Sequence, residues 1–558
     1  MRIIGKKLNT VVCLVLVGTG VFAQSLADAK KAIDAEQYQR GESMFKVLTT
    51  TQLTNAENYF YLGGVYLRTD HIDSAKMTFN KGISVNANYP LNYVGMGSVA
   101  LAEGDSLAAK ERFNKAVSLA GKKDNSPWLF IAKAYIRAPK PDYEQALVYL
   151  DKAKEINDKD AQVYLAMGDA YRGQRRNSEA YSAYRTAFDF NKNLLRAKVE
   201  LGVINKMSKA FQESADEFNS VLAIDPSYGP AYRELAETYY LWANSESRQY
   251  DLRMKQALQY YEKYMDLTDR SLESRMRHAD FLILAKEYKA LEAEANEMAK
   301  IDHVNPRILR YQAYAAYENG NYSSSIQALK DFIAKVDPKR VIAQDYLYLG
   351  RAEIKSGAVE NGINDIKRAI ILDSTSVAAM SEIGKVLYDS KKYDQAAQAY
   401  ELSIKNPKRN LLDYYYLGSS YYFDYGAKKA TNETLDNSLL VKADSAFSYL
   451  IQRSPTTHVA WQFRGRINRQ LDDANDSKGL GLPYYEKYVD ILTVTKPDLA
   501  VKNAAGLIEA YTYLGSVAAR RDRDNVKAKD YFDKVLALDP NNDVVKQALK
   551  AIGVGGGK

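Results

Sequence analysis

The sequence predicts an all-α protein in which about 14 helical hairpins follow one another as a solenoid. A small residue recurs along the chain, and seven of the thirteen steps between copies are 34 residues long. Apolar residues around each copy are spaced by three and four, which places them on one face of each of two helices. Asp-Pro pairs, as at Asp225-Pro226, end several units because proline cannot continue a helix. The recurring small residues are Ala29, Gly63, Gly97, Ala132, Gly168, Gly202, Ala236, Ala279, Ala313, Gly350, Gly384, Gly418, Gly465 and Gly515.

A secretory signal peptide is predicted for residues 1–23. Basic residues open this segment, an apolar stretch runs from Val11 to Phe22, and a small-residue cleavage site ends at Ala23. The stretch is shorter than the roughly 20 residues that span a bilayer, and no later stretch is long enough, so we expect no transmembrane segment in the mature chain. Cys13 is the single cysteine, and its removal with the leader leaves no disulfide and no cysteine metal site.

Composition and charge exclude several classes of protein. Hydrophobic residues make up 46% and charged residues 26% of the 558 residues, and the 13 Pro and 31 Gly are too few for a disordered or collagen-like chain. The net charge of +8 is small for this length and no polybasic run occurs, so nucleic acid is not an expected partner. Tyrosine supplies 44 residues against 16 Phe and 3 Trp, a bias that packing at the repeat positions mostly explains.

Residues 24–540 are predicted to form the solenoid, and residues 541–558 a capping helix with a flexible Gly-rich tail. Three copies carry polar insertions between their helices, near residues 244–252, 424–442 and 472–478. Each insertion falls at the same point of its hairpin, so we expect all three to project from one edge of the solenoid.

No residue pattern of a known catalytic or metal site stands out. No histidine has a second histidine at metal-ligand spacing, and no Ser nucleophile motif occurs. Acidic pairs such as Asp472-Asp473 lie in a polar segment, where a solvated loop is the ordinary explanation. We therefore expect a protein that is not an enzyme and that uses no cofactor and no metal. The four histidines are His71, His278, His303 and His458.

The repeat frame is clear in the second copy, where Leu62-Gly63 is followed by Tyr66, Ala75 and Phe79. These positions and their spacing resemble the tetratricopeptide-repeat (TPR) family, and the resemblance covers nearly all of the mature chain. It implies paired helices that wind into a right-handed superhelix. It also implies a concave surface, formed by the first helix of each pair, on which members of the family bind their partners.

This concave surface maps onto positions beside the packed stripe of each first helix. Basic residues and tyrosines predominate there, and both types anchor protein interfaces. An ordinary alternative stays open, because any helix face in water carries Lys, Arg and some Tyr. The candidate partner-binding residues are Lys133, Arg137, Arg172, Arg196, Arg233, Tyr240, Arg310, Tyr314, Tyr317, Arg351, Lys355, Tyr388, Tyr415, Tyr422, Arg466 and Arg469.

We expect a non-enzymatic scaffold or adaptor of the bacterial cell envelope, with a peptide or protein partner in the concave groove. A glycan- or substrate-binding component of an envelope uptake system is the alternative, because tyrosines in a groove also stack on sugars. The leader and the tyrosine-rich repeats are similar to exported TPR proteins of the Bacteroidota. The expected location is therefore the periplasm, either free or peripheral to the outer membrane.

Overall fold

Fourteen helical hairpins and one further helix make up the described part of the chain. The computed structural model describes residues 25–553 except 408 and 432–436, and these residues contain 29 α-helices and no β-strand. They fall into an N-terminal unit, residues 25–302, and a C-terminal unit, residues 303–553. The predicted all-α repeat fold is confirmed. The predicted signal peptide and the end of the predicted tail lie outside the described residues.

The N-terminal unit holds eight hairpins, each made of a first and a second helix. Most of its helices have 13 or 14 residues, so one hairpin with its turns fills about one period. The helices are α1 Leu26–Asp34, α2 Tyr38–Thr51, α3 Ala56–Arg68, α4 Ile72–Val85, α5 Leu91–Glu103, α6 Ser106–Ser118, α7 Ser126–Arg137, α8 Tyr143–Ile156, α9 Ala161–Gly173, α10 Asn177–Phe190, α11 Leu195–Met207, α12 Phe211–Ile224, α13 Gly229–Ser245, α14 Tyr250–Leu267, α15 Leu272–Leu284 and α16 Tyr288–Ile301.

The C-terminal unit holds six hairpins and a final helix. Its helices are α17 Pro306–Glu318, α18 Tyr322–Lys335, α19 Ala343–Lys355, α20 Val359–Leu372, α21 Ala378–Asp389, α22 Tyr393–Ser403, α23 Leu411–Ala430, α24 Ser438–Arg453, α25 His458–Leu471, α26 Leu482–Asp490, α27 Ala504–Arg520, α28 Asn525–Leu538 and α29 Asp543–Ala551. Across both units, none of the helices described is long and apolar enough to cross a membrane.

The recurring small residue lets the aromatic ring of the second helix reach the backbone of the first helix. A Cβ atom added at Gly63 would lie 2.5 Å from the ring of Phe79, and one added at Gly202 would lie 2.6 Å from the ring of Phe218. Both rings are at most 1% exposed. The small residues of the 34-residue period therefore mark the points where the two helices of these hairpins cross.

Buried tyrosines account for part of the tyrosine bias. Tyr184, Tyr400 and Tyr485 are each at most 1% exposed. The hydroxyl of Tyr184 donates a hydrogen bond to Asp169 at 3.0 Å, and that of Tyr485 donates to Glu509 at 2.7 Å. A buried hydroxyl is costly unless it is hydrogen-bonded, so Tyr184 and Tyr485 combine a packed ring with a satisfied polar tip.

Acidic and amide side chains begin several of the helices. Asn55, Asp105 and Asp160 accept hydrogen bonds from backbone N–H groups of the first turn at 3.1, 2.9 and 2.8 Å. These N–H groups have no partner within the helix, so each cap stabilises its helix by about 1 kcal/mol.

Helix α23 extends into the predicted insertion near residues 424–442. It continues to Ala430, and Asp424 and Tyr425 within it are only 8% and 5% exposed. Tyr421 and Tyr425 lie one turn apart and join the same hydrophobic core, which favours helix beyond the predicted boundary.

The other two predicted insertions differ from each other. In the segment near residues 244–252, α13 continues to Ser245 and α14 begins at Tyr250, so most of the segment is helical. Residues 472–478 form a loop, in which Asp472 accepts the backbone N–H of Lys478 at 3.2 Å.

The first hairpin of the N-terminal unit contacts the seventh, and we call this contact the ring closure. The hydroxyl of Tyr228 donates to Asp34 at 3.0 Å, and Arg233 and Tyr264 both donate to Glu36 at 3.0 Å. The first helices α1, α3, α5, α7 and α9 contact one another in turn, as do α11 and α13, and ion pairs join α9 to α11. With the ring closure, these first helices line the inner surface of a closed ring. Further hydrogen bonds join Gln37 to Leu267 and Gln39 to Asp269.

Candidate partner-binding surface

The predicted basic residues of the N-terminal unit fall on its first helices, and several are paired with carboxylates of neighbouring helices. Arg172 on α9 lies 3.2 Å from Glu200 on α11, and Arg196 on α11 lies 2.7 Å from Asp169 on α9. Arg196 also lies 3.6 Å from Glu200. These four residues tie two consecutive first helices together, so much of their charge is neutralised within the protein.

Arg233 extends this network to the ring closure. Its guanidinium lies 3.0 Å from Glu36 in the first hairpin and 2.9 Å from Glu234 beside it. Lys206 pairs with the same Glu234, which is largely buried. Arg233 was predicted as a partner-binding residue, and the structure shows that it joins the first and seventh hairpins.

Lys133 and Arg137 differ from these residues because neither forms an ion pair among the described residues. They lie one turn apart on α7. The ammonium of Lys133 donates a hydrogen bond to the amide oxygen of Gln162 at 2.9 Å. Burial, and then the charges of Arg137 and Arg196, lower the pKa of Lys133 to about 7.

Arg137 is enclosed by protein on the inner side of the ring, yet its side chain reaches solvent. Burial, and then the nearby positive charges of Arg68 and Arg196, lower its pKa below the ordinary value. A guanidinium in contact with water remains charged at pH 7. Arg137 is therefore an accessible cation that forms no ion pair with any carboxylate in the described part of the chain.

Arg68, at the end of α3, completes a group with Lys133 and Arg137, and it is not among the residues predicted from the sequence. Its guanidinium donates to the hydroxyl of Tyr38 at 3.3 Å and is exposed. Arg68 stands five residues after Gly63, as Arg137 stands five residues after Ala132. This shared position within the repeat is the feature of the sequence from which Arg68 could have been predicted. We call Arg68, Lys133 and Arg137 the basic cluster.

Arg310 and Tyr314 of the C-terminal unit were predicted as exposed groove residues, and the structure corrects this. Tyr314 is only 3% exposed, and its hydroxyl donates to Asp345 at 2.7 Å. Arg310 donates to both oxygens of the same carboxylate at 2.7 and 2.8 Å. The physical reason is the buried Asp345 of the next first helix, which draws both side chains into the interface between hairpins.

The neighbouring candidates in this unit have mixed environments. Tyr317 packs against Tyr348 in a T-shaped contact with ring centroids 5.2 Å apart. Arg351 lies 2.7 Å from Glu382 on the next first helix. Lys355 is exposed and forms no ion pair among the residues that the structure describes.

The tyrosine candidates mostly contact other rings. Tyr388, Tyr415 and Tyr422 form T-shaped contacts with Phe423 or Phe463, with centroids 5.4 to 6.3 Å apart. All three are half-buried. Their rings thus connect consecutive first helices α21, α23 and α25, and packing explains them as it explains the buried tyrosines. Tyr240 in the N-terminal unit likewise packs against Phe281.

Arg466 and Arg469, on α25, also have partners. Arg466 forms a two-point pair with Glu509 on α27, at 2.8 and 2.5 Å. The pairing with Glu509 raises the pKa of Arg466 above its ordinary value. Arg469 lies 3.8 Å from Asp476 in the loop that follows α25. Both therefore stabilise the solenoid, whereas the basic cluster keeps uncompensated charge on the inner surface.

The comparisons with known proteins point to one repeat family. Residues 165–229 match the family model described as Tetratricopeptide repeat. A stretch of 156 residues, 28% of this chain, is 22% identical to anaphase-promoting complex subunit 3 of Schizosaccharomyces pombe. That stretch covers 23% of the yeast protein, so the match spans less than a quarter of its length.

Two solved structures of bacterial proteins are also similar. The C-terminal part of a TPR repeat-containing protein from Cytophaga hutchinsonii is 28% identical, covers 49% of this chain and 99% of that chain, and has a TM-score of 0.35. Pseudomonas aeruginosa pilF is 15% identical, covers 46% of this chain and 97% of that chain, and has a TM-score of 0.27. The family match at residues 165–229, the 34-residue hairpins and their small-residue crossings together support a tetratricopeptide-repeat protein.

Proposed function

We propose that the protein is a non-enzymatic adaptor of the bacterial cell envelope, which binds a peptide segment of a partner protein on its inner surface. TPR proteins are in general scaffolds for protein–protein interaction and are generally non-catalytic, which supports the coarse function. The segment lies along the first helices, and the partner protein is held through it.

One observation carries the proposal. Most basic residues on the first helices are used in ion pairs between hairpins, while Arg68 and Arg137 of the basic cluster are exposed and form no ion pair with any described residue. Exposed arginines enclosed by a concave surface supply the donors that interface anchors use. This concentration of free donors on the inner surface favours partner binding there over binding at the outer helices.

Site-specific photo-crosslinking tests where the partner binds. Ser98 on α5 stands one residue after Gly97, the same register that places Lys133 on the inner surface, and Met77 on the second helix α4 is 73% exposed. We expect p-benzoyl-phenylalanine at position 98 to capture a discrete protein product in cells, and the same group at position 77 to capture little. The reverse pattern would place the partner on the outer surface and contradict the proposal.

Export to the periplasm is the second part of the proposal, and the sequence of residues 1–23 supports it. The mature chain would begin at Gln24, either free in the periplasm or peripheral to the outer membrane. Cell fractionation followed by N-terminal sequencing tests this. A cytoplasmic protein that retains residues 1–23 would contradict it.

A further inference from the structure

The basic cluster brings together side chains from different parts of the N-terminal unit. Lys133 and Arg137 share one face of α7 because they are four residues apart. Arg68, at the end of α3, and Arg196 on α11 both lie close enough to Arg137 for their positive charges to lower its pKa. These three helices are first helices of different hairpins, so the cluster faces the interior of the ring.

The charges around the cluster are already paired. Asp169 is held by Arg196 at 2.7 Å, Glu200 by Arg172 at 3.2 Å, and Glu36 by Arg233 at 3.0 Å. None of the three cluster residues forms an ion pair among the residues described. Among the described basic side chains of the first helices of this unit, those of the cluster are therefore the ones that lack a carboxylate partner.

We infer that the basic cluster anchors a short acidic peptide segment of the partner, through hydrogen-bonded ion pairs with its Asp or Glu side chains. This rests on the proposed function, because it names the chemical class of the segment bound at the same surface. Two exposed guanidiniums and one ammonium suit carboxylates spaced a few residues apart, since each guanidinium can bind a carboxylate at two points.

The carboxylates that line the ring argue for a short acidic peptide rather than a nucleic acid. Glu200 on α11 and Glu234 on α13 lie on first helices of the ring, and Glu36 lies in the turn after α1. A nucleic acid that extends beyond the cluster would place its phosphates next to these carboxylates, and the like charges would repel. A peptide can place neutral residues there. Proteins that bind nucleic acid instead present an extended basic stripe.

Binding of carboxylates would change the protonation of Lys133. The groups that face it are the cations Arg137 and Arg196 and the carboxylates Asp160 and Asp169. A bound carboxylate adds an opposite charge and raises the pKa of Lys133 from its value of about 7. At pH 7.5 Lys133 is largely neutral in the free protein, so formation of the complex takes up a fraction of a proton from the buffer.

Binding of labelled octapeptides to the full chain tests the inference. We expect fluorescein-labelled octaglutamate to bind at least about tenfold more tightly than octaglutamine, and to lose affinity as salt rises. Arg68→Gln and Arg137→Gln should each weaken octaglutamate binding about tenfold or more. Arg112→Gln is the matched control, because Arg112 is exposed on the second helix α6, and it should leave binding unchanged.

Calorimetry in buffers of different ionisation enthalpy measures the proton uptake. At pH 7.5 we expect uptake of about half a proton or more on octaglutamate binding. Lys133→Arg should bind with similar affinity but without proton uptake, because arginine remains charged. Equal affinity for octaglutamate and octaglutamine, or tighter binding of an eight-nucleotide oligothymidylate, would overturn the inference.

These outcomes are separate from those of the proposed function. If position 98 captures a partner but octaglutamate does not bind, the inner surface is the binding surface and its ligand is not acidic. If position 77 alone captures the partner, the proposed function fails whatever the peptides do. If octaglutamate binds equally to the native protein and to Arg137→Gln, the basic cluster is not the anchor.

Discussion

Arg310 and Asp345 form a two-point ion pair between consecutive first helices, with Nε and Nη2 of Arg310 2.7 and 2.8 Å from the two carboxylate oxygens. Asp345 is fully buried and also accepts hydrogen bonds from the hydroxyl of Tyr314 and the backbone N–H of Ile342. A buried carboxylate with this many donors holds its hairpins in one arrangement. The charges on the inner face of a solenoid can therefore be structural.

Substitution Asp345→Ala should strongly destabilise the C-terminal unit. Removing the carboxylate leaves the partly buried Arg310 and the buried hydroxyl of Tyr314 without their partner, which costs about 3–5 kcal/mol in the free energy of unfolding. Urea denaturation followed by circular dichroism measures the loss. Arg351→Ala is the control, because its partner Glu382 is 60% exposed, and it should cost less than about 1 kcal/mol. Equal losses in the two variants would contradict a structural role for Asp345.

Substitution Gly350→Leu should force α19 and α20 apart. A Cβ atom at Gly350 would lie 2.6 Å from the carbonyl oxygen of Gly362, where the backbones of the two helices meet. Overpacking of this kind lowers stability by about 1–3 kcal/mol. Gly426→Leu is the matched control, because no atom of the described residues lies within 4 Å of its Cβ position. Thermal denaturation should show a lower Tm for the first variant alone, and an unchanged Tm there would refute the close crossing.

Asp365 should make a contribution to the stability of the C-terminal unit that is lost as the pH rises from about 4 to about 6. Burial, and then the neighbouring carboxylate of Glu353, raise the pKa of Asp365 to about 6, although Arg368 and Lys330 lie nearby. The folded carboxyl thus holds its proton to higher pH than the unfolded one, whose pKa is about 3.9. Its stabilising contribution is complete below about pH 3.9 and is lost as the pH rises through about 6.

The variant Asp365→Asn tests this dependence. An amide stays neutral, so we expect the variant to be more stable than the native protein at pH 7 by about 1–2 kcal/mol in the free energy of unfolding. Its advantage in Tm over the native protein should grow as the pH rises from 4 to 6. Asp394→Asn serves as the control, because Asp394 is exposed and should leave the profile unchanged. A profile that is equally steep in native protein and Asp365→Asn would show that another group titrates.

The ring closure should depend on Glu36. Glu36→Gln weakens the contacts to Arg233 and Tyr264, so we expect faster amide hydrogen exchange in residues 26–51 and 229–267. Exchange in the middle hairpins should stay slow, because each packs on its sequence neighbours. Glu155→Gln is the matched control, since Glu155 is exposed and pairs only with Lys152 three residues earlier. Unchanged exchange at both ends of the ring would show that Glu36 does not hold it closed.

The hairpins could be predicted from the sequence because their contacts are local. Gly63 and Phe79 belong to one hairpin, and their spacing repeats along the chain, so the period itself encodes the crossing. The candidate site was predicted less well. The position of Tyr314 on a first helix is visible in the sequence, but its burial depends on Asp345 in the next hairpin.

The sequence also does not show which basic side chains form ion pairs and which do not. Arg137 and Arg196 are both basic residues of first helices, and the sequence treats them alike. Arg196 is paired because Asp169 on the preceding first helix stands within 2.7 Å, whereas no carboxylate of the described residues pairs with Arg137. Whether a basic side chain is paired depends on whether it can reach a carboxylate across the interface between hairpins. The period of the repeat does not contain this information.

The sequence by itself determined the repeat, the fold class and the crossing points within hairpins, because a regular spacing of small and apolar residues specifies contacts between near neighbours. Only the tertiary structure decided the ring closure, in which Glu36 meets Arg233 and Tyr264, 197 and 228 residues away. The small rotation between one hairpin and the next accumulates over six steps, and its sum brings the first hairpin to the seventh. No single repeat encodes that sum, so the enclosed surface and its basic cluster appear only when the whole unit is folded.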